Sequence, residues 1–232
     1  GVNSFNSKSV NSTNKRDRMI PKIIHQIFIP FKGKTISEIQ TYEECQTKTI
    51  AFCVQNGYKY KLYDEIQIKW LLCCKYKEYR ELYKSFTDPI MKIDFARYLI
   101  LHHYGGIYLD LDMYPVRDPI QLLTEHNEIF TSWEGQKLPY IAFLASRAGN
   151  PLFREIAEHC KESFYEKIKN PIYKTWTGRL VFQTTGHYMV QRVLKKNNIK
   201  PLSLLKVNTK NNVIVEAPNY YFEDYNVSIW YK

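Results

Sequence analysis

DPIMKIDFARYLILHHYGGIYLDLDMYPVRDP, residues 88–119, carries a helix start, a helix stop and a change of hydrophobic period in one run. Asp88 before Pro89 is an N-cap with proline at the first helical position, and Gly105-Gly106 supplies the stop. The spacing therefore predicts a helix over 89–104. Within it Ile90, Ile93, Leu99 and Leu101 supply apolar surface, while Asp94 and Arg97, three apart, share a face. After the glycines, Ile107, Leu109, Leu111 and Met113 alternate with Tyr108, Asp110, Asp112 and Tyr114. That period of two predicts a buried strand with both aspartates on one side of an extended chain. Two carboxylates there cost stability unless a cation meets them. Hard oxygen donors at a strand end suit Mn²⁺ or Mg²⁺, which complete their coordination with waters and substrate phosphates.

Outward from this block, IPKIIHQIFIP at 20–30 is β-branched and bounded by prolines, the pattern of a first buried strand. Residues 35–55 read as helix, and 58–63 as a second strand after the Asn56-Gly57 turn. Strands alternating with helices imply an α/β fold, a largely parallel, single twisted Rossmann-like sheet with helices on both sides, its ligand at the C-terminal strand ends. Residues 1–18 are poor in apolar side chains and read as a flexible tail, leaving 19–232 as one domain. The 232 residues, 44% hydrophobic, suffice for one full core.

The net charge of +10 favours an acidic partner, a nucleotide, a nucleic acid or an anionic membrane, without choosing among them. Cys45, Cys53, Cys73, Cys74 and Cys160 form an odd set with no C-x-x-C spacing, which points to reduced thiols and neither a disulfide framework nor a zinc site. With no signal or membrane-spanning run, a cytoplasmic location is favoured, a Golgi lumen remaining open if an anchor preceded residue 1.

Plainer readings stand beside these. Asp94 and Arg97 alone would be a surface pair worth roughly 0.2–0.5 kcal/mol. His102 and His103 fall in a last helical turn, where imidazole caps carbonyls. His25 packs beside the first strand with its ring nitrogens bonded to backbone. The lysines at 195–196 and 206–210 are solvated faces.

The blocks IPKIIHQIF and DFARYLILHHYGGIYLDLDMYPVRD resemble glycosyltransferase family 32, with its DXD sugar-binding region and GT-A fold, and more distantly the large clostridial glucosylating toxins. The resemblance implies a metal-dependent transfer of a hexosyl unit from a nucleotide diphosphate sugar to an acceptor hydroxyl of a glycan, protein or lipid, with retention at the anomeric carbon. By it Asp110 and Asp112 bind the metal, Asp112 more directly, and Asp110 also meets the donor ribose or sugar. Asp94 holds sugar hydroxyls, Arg97 reaches the sugar or diphosphate, and Tyr108 lines the donor pocket. Phe28 stands where relatives often carry Trp and stacks on the base. TTGHYMVQRVL, 184–194, is similar to an acceptor-side Thr-Gly-Pro motif with His187 in place of proline. In EDYNVSIWYK, Ser228 and Trp230 take a Ser-x-Trp role at the donor, and Asn226 or Glu223 completes the metal shell. The aromatic at Phe28 and this ending favour a UDP-sugar over GDP-mannose.

Two other classes compete. Phosphatases with an aspartyl nucleophile also place D-x-D after an apolar strand, but need a small Thr or Val two residues on, where this chain has Tyr114. A basic nucleic-acid-binding module lacks a recognition motif or a helix dense in Arg and Lys, so no nucleic acid is expected.

Overall fold

The computed structural model describes residues 19–31, 33–132, 138–173, 177–208, 213–216 and 219–226. The tail at 1–18, and with it the division into tail and domain, lies outside the described residues, as do Ser228 and Trp230.

Five strands form the central sheet: β1 (Ile23–Ile27), β2 (Lys59–Tyr63), β3 (Gly106–Leu109), β5 (Glu128–Ser132) and β6 (Pro139–Ser146), in the order β2-β1-β3-β6-β5. β1 runs parallel to β2 and β3, whereas β6 is antiparallel to both β3 and β5. Parallel pairing requires a crossover helix, and β1, β2 and β3 have one between each pair. They are α1 (Gln40–Asn56) between β1 and β2, and α2 (Glu65–Lys75), α3 (Arg80–Ser85) and α4 (Pro89–Tyr104) between β2 and β3. Only residues 133–138 separate β5 from β6, too few for a crossover, and the two pair antiparallel. The sheet is therefore mixed rather than largely parallel, and it is not alone. A second sheet of order β4-β9-β7-β8 is made from β4 (Met113–Pro115), β7 (Leu205–Asn208), β8 (Val213–Glu216) and β9 (Phe222–Asp224).

Alternation along the central strands fills two cores. Ile107 and Leu109 of β3 and Phe143 of β6 point to one, with Phe52 of α1, Leu123 of α5 (Ile120–Glu125) and Phe222 of β9. Tyr108 and Leu144 point to the other, among Tyr79, Phe95 of α4 and Phe153 of α6 (Pro151–Lys167). Helices thus cover both faces, as the alternation of elements implies.

α4 spans the stretch expected for it, with Asp88 accepting from the Ile90 N–H at 3.0 Å and Gly105 at φ +62° ending it. Gly106 follows at φ +101°, where a Cβ would come within 2.6 Å of the Ile23 carbonyl and 2.9 Å of His25 Nε2, so only glycine lets β3 lie this close to β1. His25 is buried, its Nε2 2.7 Å from the Gly105 carbonyl and its Nδ1 3.1 Å from the Tyr63 hydroxyl. Burial lowers its pKa to about 4, so the ring is neutral, donating from Nε2 to Gly105 and accepting from Tyr63. All five cysteines are free thiols, Cys73 and Cys74 exposed.

Candidate active site

The chain leaves the extended path at the motif that was expected to stay in it. β3 ends at Leu109, after the Asp110 N–H bonds the Ala142 carbonyl at 2.9 Å, and the Met113 N–H turns back to the Asp110 carbonyl at 3.1 Å. Gln26 Nε2 donates to that carbonyl at 3.1 Å. The D-x-D is thus a turn joining the two sheets, at the rim of a cavity of about 370 Å³ beyond the C-terminal ends of β1 and β3. Phe28, Asp94, Arg97, Tyr108, Asp110, Asp112 and Asn226 all line it. A shared helix face, a strand end and the residue following β1 are therefore brought to one hollow.

Arg97 is its buried centre, 1% exposed. Its Nη2 lies 2.7 Å from Asp94 Oδ1, and its Nη1 lies 3.4 Å from Asp110 Oδ1 and donates to the Ile141 carbonyl at 2.7 Å. The guanidinium sits 4.5 Å from the Tyr108 ring centroid, and the Tyr108 hydroxyl donates to Asp110 Oδ1 at 2.6 Å. The surface-pair reading of Asp94 and Arg97 is thereby overturned, because the helix face they share is turned into the protein. Burial opposes the charge on Arg97, but Asp110, Tyr108 and Asp94 outweigh it and push its pKa up. Burial raises Asp94 to about 7; Arg97 and the Thr185 hydroxyl, donating to Oδ2 at 3.1 Å, work against that rise, and Asp110 adds to it. Burial likewise raises Asp110, opposed by Arg97 and Tyr108.

Asp224 is the residue sequence reasoning missed. β9 pairs with β4 so that Met113 faces Asp224, and the Tyr225 N–H bonds the Asp112 carbonyl at 3.0 Å. Strand alternation sends Glu223, the sequence's alternative to Asn226, the other way, to Tyr114 and Lys206. Asp224 is 1% exposed and accepts from the Tyr140 hydroxyl and, at 2.6 Å, from the Asn226 N–H. Its pKa stands well above the carboxylate range, through burial first and then the charge of Asp112. A carboxylate pushed up by a second carboxylate beside the pocket is a place that gains from a cation.

Among the described residues no three His, Cys, Asp or Glu side chains are already gathered at metal-ligand spacing. The set fits Mg²⁺ or Mn²⁺ nonetheless, since these ions bind through one or two carboxylates and take the remaining oxygens from waters and phosphates. Asp112 and Asp224, whose charges bear on each other, would make such a pair, and Asp112 and Asn226 line the cavity wall.

The far wall is apolar. Ile90, Ile93, Ile141, Val181 and Phe182 lead to Gly186 and His187. The His187 ring lies 4.5 Å from that of Phe182, and burial lowers its pKa to about 4. Thr185 ties this wall to the centre, its carbonyl accepting from the Tyr98 hydroxyl at 2.7 Å. His102 bonds the Tyr76 hydroxyl through Nδ1 at 2.6 Å and is not part of the cavity.

A buried arginine thus lies between two aspartates, beside the turn that carries a third, at the strand ends of an α/β sheet. Residues 42–131 match the family model of the glycosyltransferase sugar-binding region containing the DXD motif. It is 42% identical over 96 residues to an uncharacterized glycosyltransferase, L373, of Acanthamoeba polyphaga mimivirus, covering 41% of this chain and 36% of that protein. It is 32% identical over 117 residues to inositol phosphoceramide mannosyltransferase 1 of Schizosaccharomyces pombe, covering 50% of this chain and 35% of that one. The chain thus spans about a third of the length of these relatives. The fold is similar to that of the PaToxG glycosyltransferase, with a TM-score of 0.50 at 18% identity over 78% of this chain and 70% of that one.

Proposed function

We infer that the chain is a metal-dependent glycosyltransferase that moves a hexosyl unit from a nucleotide diphosphate sugar to an acceptor hydroxyl. The observation that carries this is the line Asp94, Arg97, Asp110 in one cavity with Asp112, Asp224 lying buried behind it, because a fixed guanidinium and a cation-seeking carboxylate pair answer the charge of a departing diphosphate. Asp112 and Asp224, with Asn226, would hold Mn²⁺ or Mg²⁺, which supplies positive charge against the developing charge on the diphosphate. Arg97, immobilised by Asp94 and the Ile141 carbonyl, presents its guanidinium to the sugar or diphosphate without reorganising. Asp94 and Asp110 accept from donor hydroxyls, and at the buried Asp94 little water competes. Phe28 offers a ring for the base, and the apolar wall ending at His187 borders the acceptor side. The reaction is taken to retain configuration, the leaving phosphate guiding attack on the same face.

The mannosyltransferase names of several relatives favour mannose as the sugar, and Phe28 favours a UDP donor. A thermal-shift screen of UDP-glucose, GDP-mannose and related donors, each with and without Mn²⁺, separates these. A rise in melting temperature that needs both metal and one nucleotide sugar is expected. No rise with any donor overturns the reading, and turnover of a generic phosphomonoester would favour a phosphatase instead.

A further inference from the structure

We propose that the outer face of α2 is a docking surface for an anionic lipid bilayer. α2 has two apolar faces. Ile68, Leu71 and Leu72 enter the core, whereas Ile66, Trp70, Cys73 and Cys74, at i, i+4, i+7 and i+8, face outward together. Ile66 is 77% exposed and Trp70 58% exposed, so this stripe has no protein partner among the described residues. Cutting an indole and an isoleucine loose in water gains nothing for a helix already anchored by its other face. A tryptophan on a lysine-flanked helix is suited to the boundary between headgroups and acyl chains.

Charge selects the occupant. From β2 to the turn after α2 the exposed side chains Lys59, Lys61, Lys69, Lys75 and Lys77 stand against Asp64, Glu65 and Glu78; Glu65 is already bridged by Lys69 and Lys92, and Glu78 by Arg154. Lys61 and Lys75 are close enough to lower the pKa of His103 after its own burial, which groups them at one end of the helix. An apolar stripe edged by lysines, of which only Lys69 holds a carboxylate, complements a surface of anionic headgroups, whereas a second copy would bring like charges together. No described helix is long and apolar enough to cross a membrane, so this contact would lie on the bilayer rather than through it. The inference does not depend on the transferase reading.

The test is co-sedimentation of the full chain with vesicles of phosphatidylcholine alone or with phosphatidylserine added. Binding to the anionic vesicles, weakened by salt, is expected. Lys69→Gln and Lys75→Gln should each weaken it about fivefold. Ile66→Gln with Trp70→Gln should weaken it about tenfold or more while leaving the melting temperature unchanged, since both side chains are exposed. In Trp70→Phe, binding should persist while the vesicle-induced blue shift of tryptophan fluorescence falls. Equal binding to both vesicle types, undiminished binding by the double variant, or no binding at all overturns the proposal. So does a dimer seen by sedimentation velocity that the double variant dissolves while vesicle binding is absent.

Discussion

Replacing Arg97 by methionine keeps much of the side-chain volume but leaves Asp94, 2.7 Å away, and Asp110, 3.4 Å away, with no cation between them. Breaking a buried ion pair from one side costs about 3–5 kcal/mol, because the remaining charge stays buried. For a chain of this size each kcal/mol moves the melting temperature by about 2–4 °C, so a fall of about 6–20 °C is expected near pH 8. The loss should depend on pH, and its sign follows from Asp94. Its pKa is raised from an ordinary 3.8 to about 7, so the folded protein holds a proton that the unfolded chain releases. Stability from that proton is fully present below the unfolded value and fades as pH rises towards the folded one, by about 4 kcal/mol in all. Without Arg97, which opposes the rise, the window extends to higher pH. The variant should therefore approach wild-type stability as pH is lowered from about 8 to about 5. Thermal denaturation followed by circular dichroism at several pH values, without donor or metal, reads this directly. A deficit that stays constant across that range would refute the electrostatic account and leave only altered packing.

Asp224→Asn should abolish the Mn²⁺-dependent part of donor binding while leaving the metal-free protein at least as stable as wild type near neutral pH, because it relieves the repulsion from Asp112; paired thermal-shift measurements with and without Mn²⁺ decide this. Tyr140→Phe removes the hydroxyl that holds one oxygen of Asp224, and should raise the Mn²⁺ concentration needed for half-maximal activity while saturating metal restores most of the rate. Phe28→Ala should raise KM for the donor with little change in kcat, since a stacked base contributes equally in ground and transition states. Gly106→Ala forces a Cβ to within 2.6 Å of the Ile23 carbonyl at a positive φ, and should cost about 1–3 kcal/mol or more in chemical denaturation.

The helix of Arg97 and the strand of Tyr108 were legible because their signals are local: an Asp-Pro start, a Gly-Gly stop and a switch of period within one block. The convergence of Asp94, Arg97 and Asp110 came only with the family resemblance, since the residues alone read Asp94 and Arg97 as a surface pair. The bend at Asp110 was not legible, because the apolar alternation through Leu111 and Met113 continues while the chain passes from one sheet to another. The mixed sheet escaped because the sequence reading assigns no strand beyond the D-x-D block, although Gly135 stands between β5 and β6. Asp224 was hidden more deeply. A three-residue strand has too short a pattern to fix its register, and a shift of one residue exchanges Glu223 for Asp224.

The pairing of β9 with β4 has a consequence for how the protein is made. Arg97, Asp94 and Asp110 can find one another as soon as α4 and β3 exist, but the last carboxylate arrives only when residue 224 has left the ribosome. Joining positions so far apart in sequence carries a loop-closure cost that local helix and strand formation does not. A nascent chain therefore carries a charged, cation-seeking half-site before it has the means to complete it, and assembly of the hollow waits until the chain between β4 and β9 has been made.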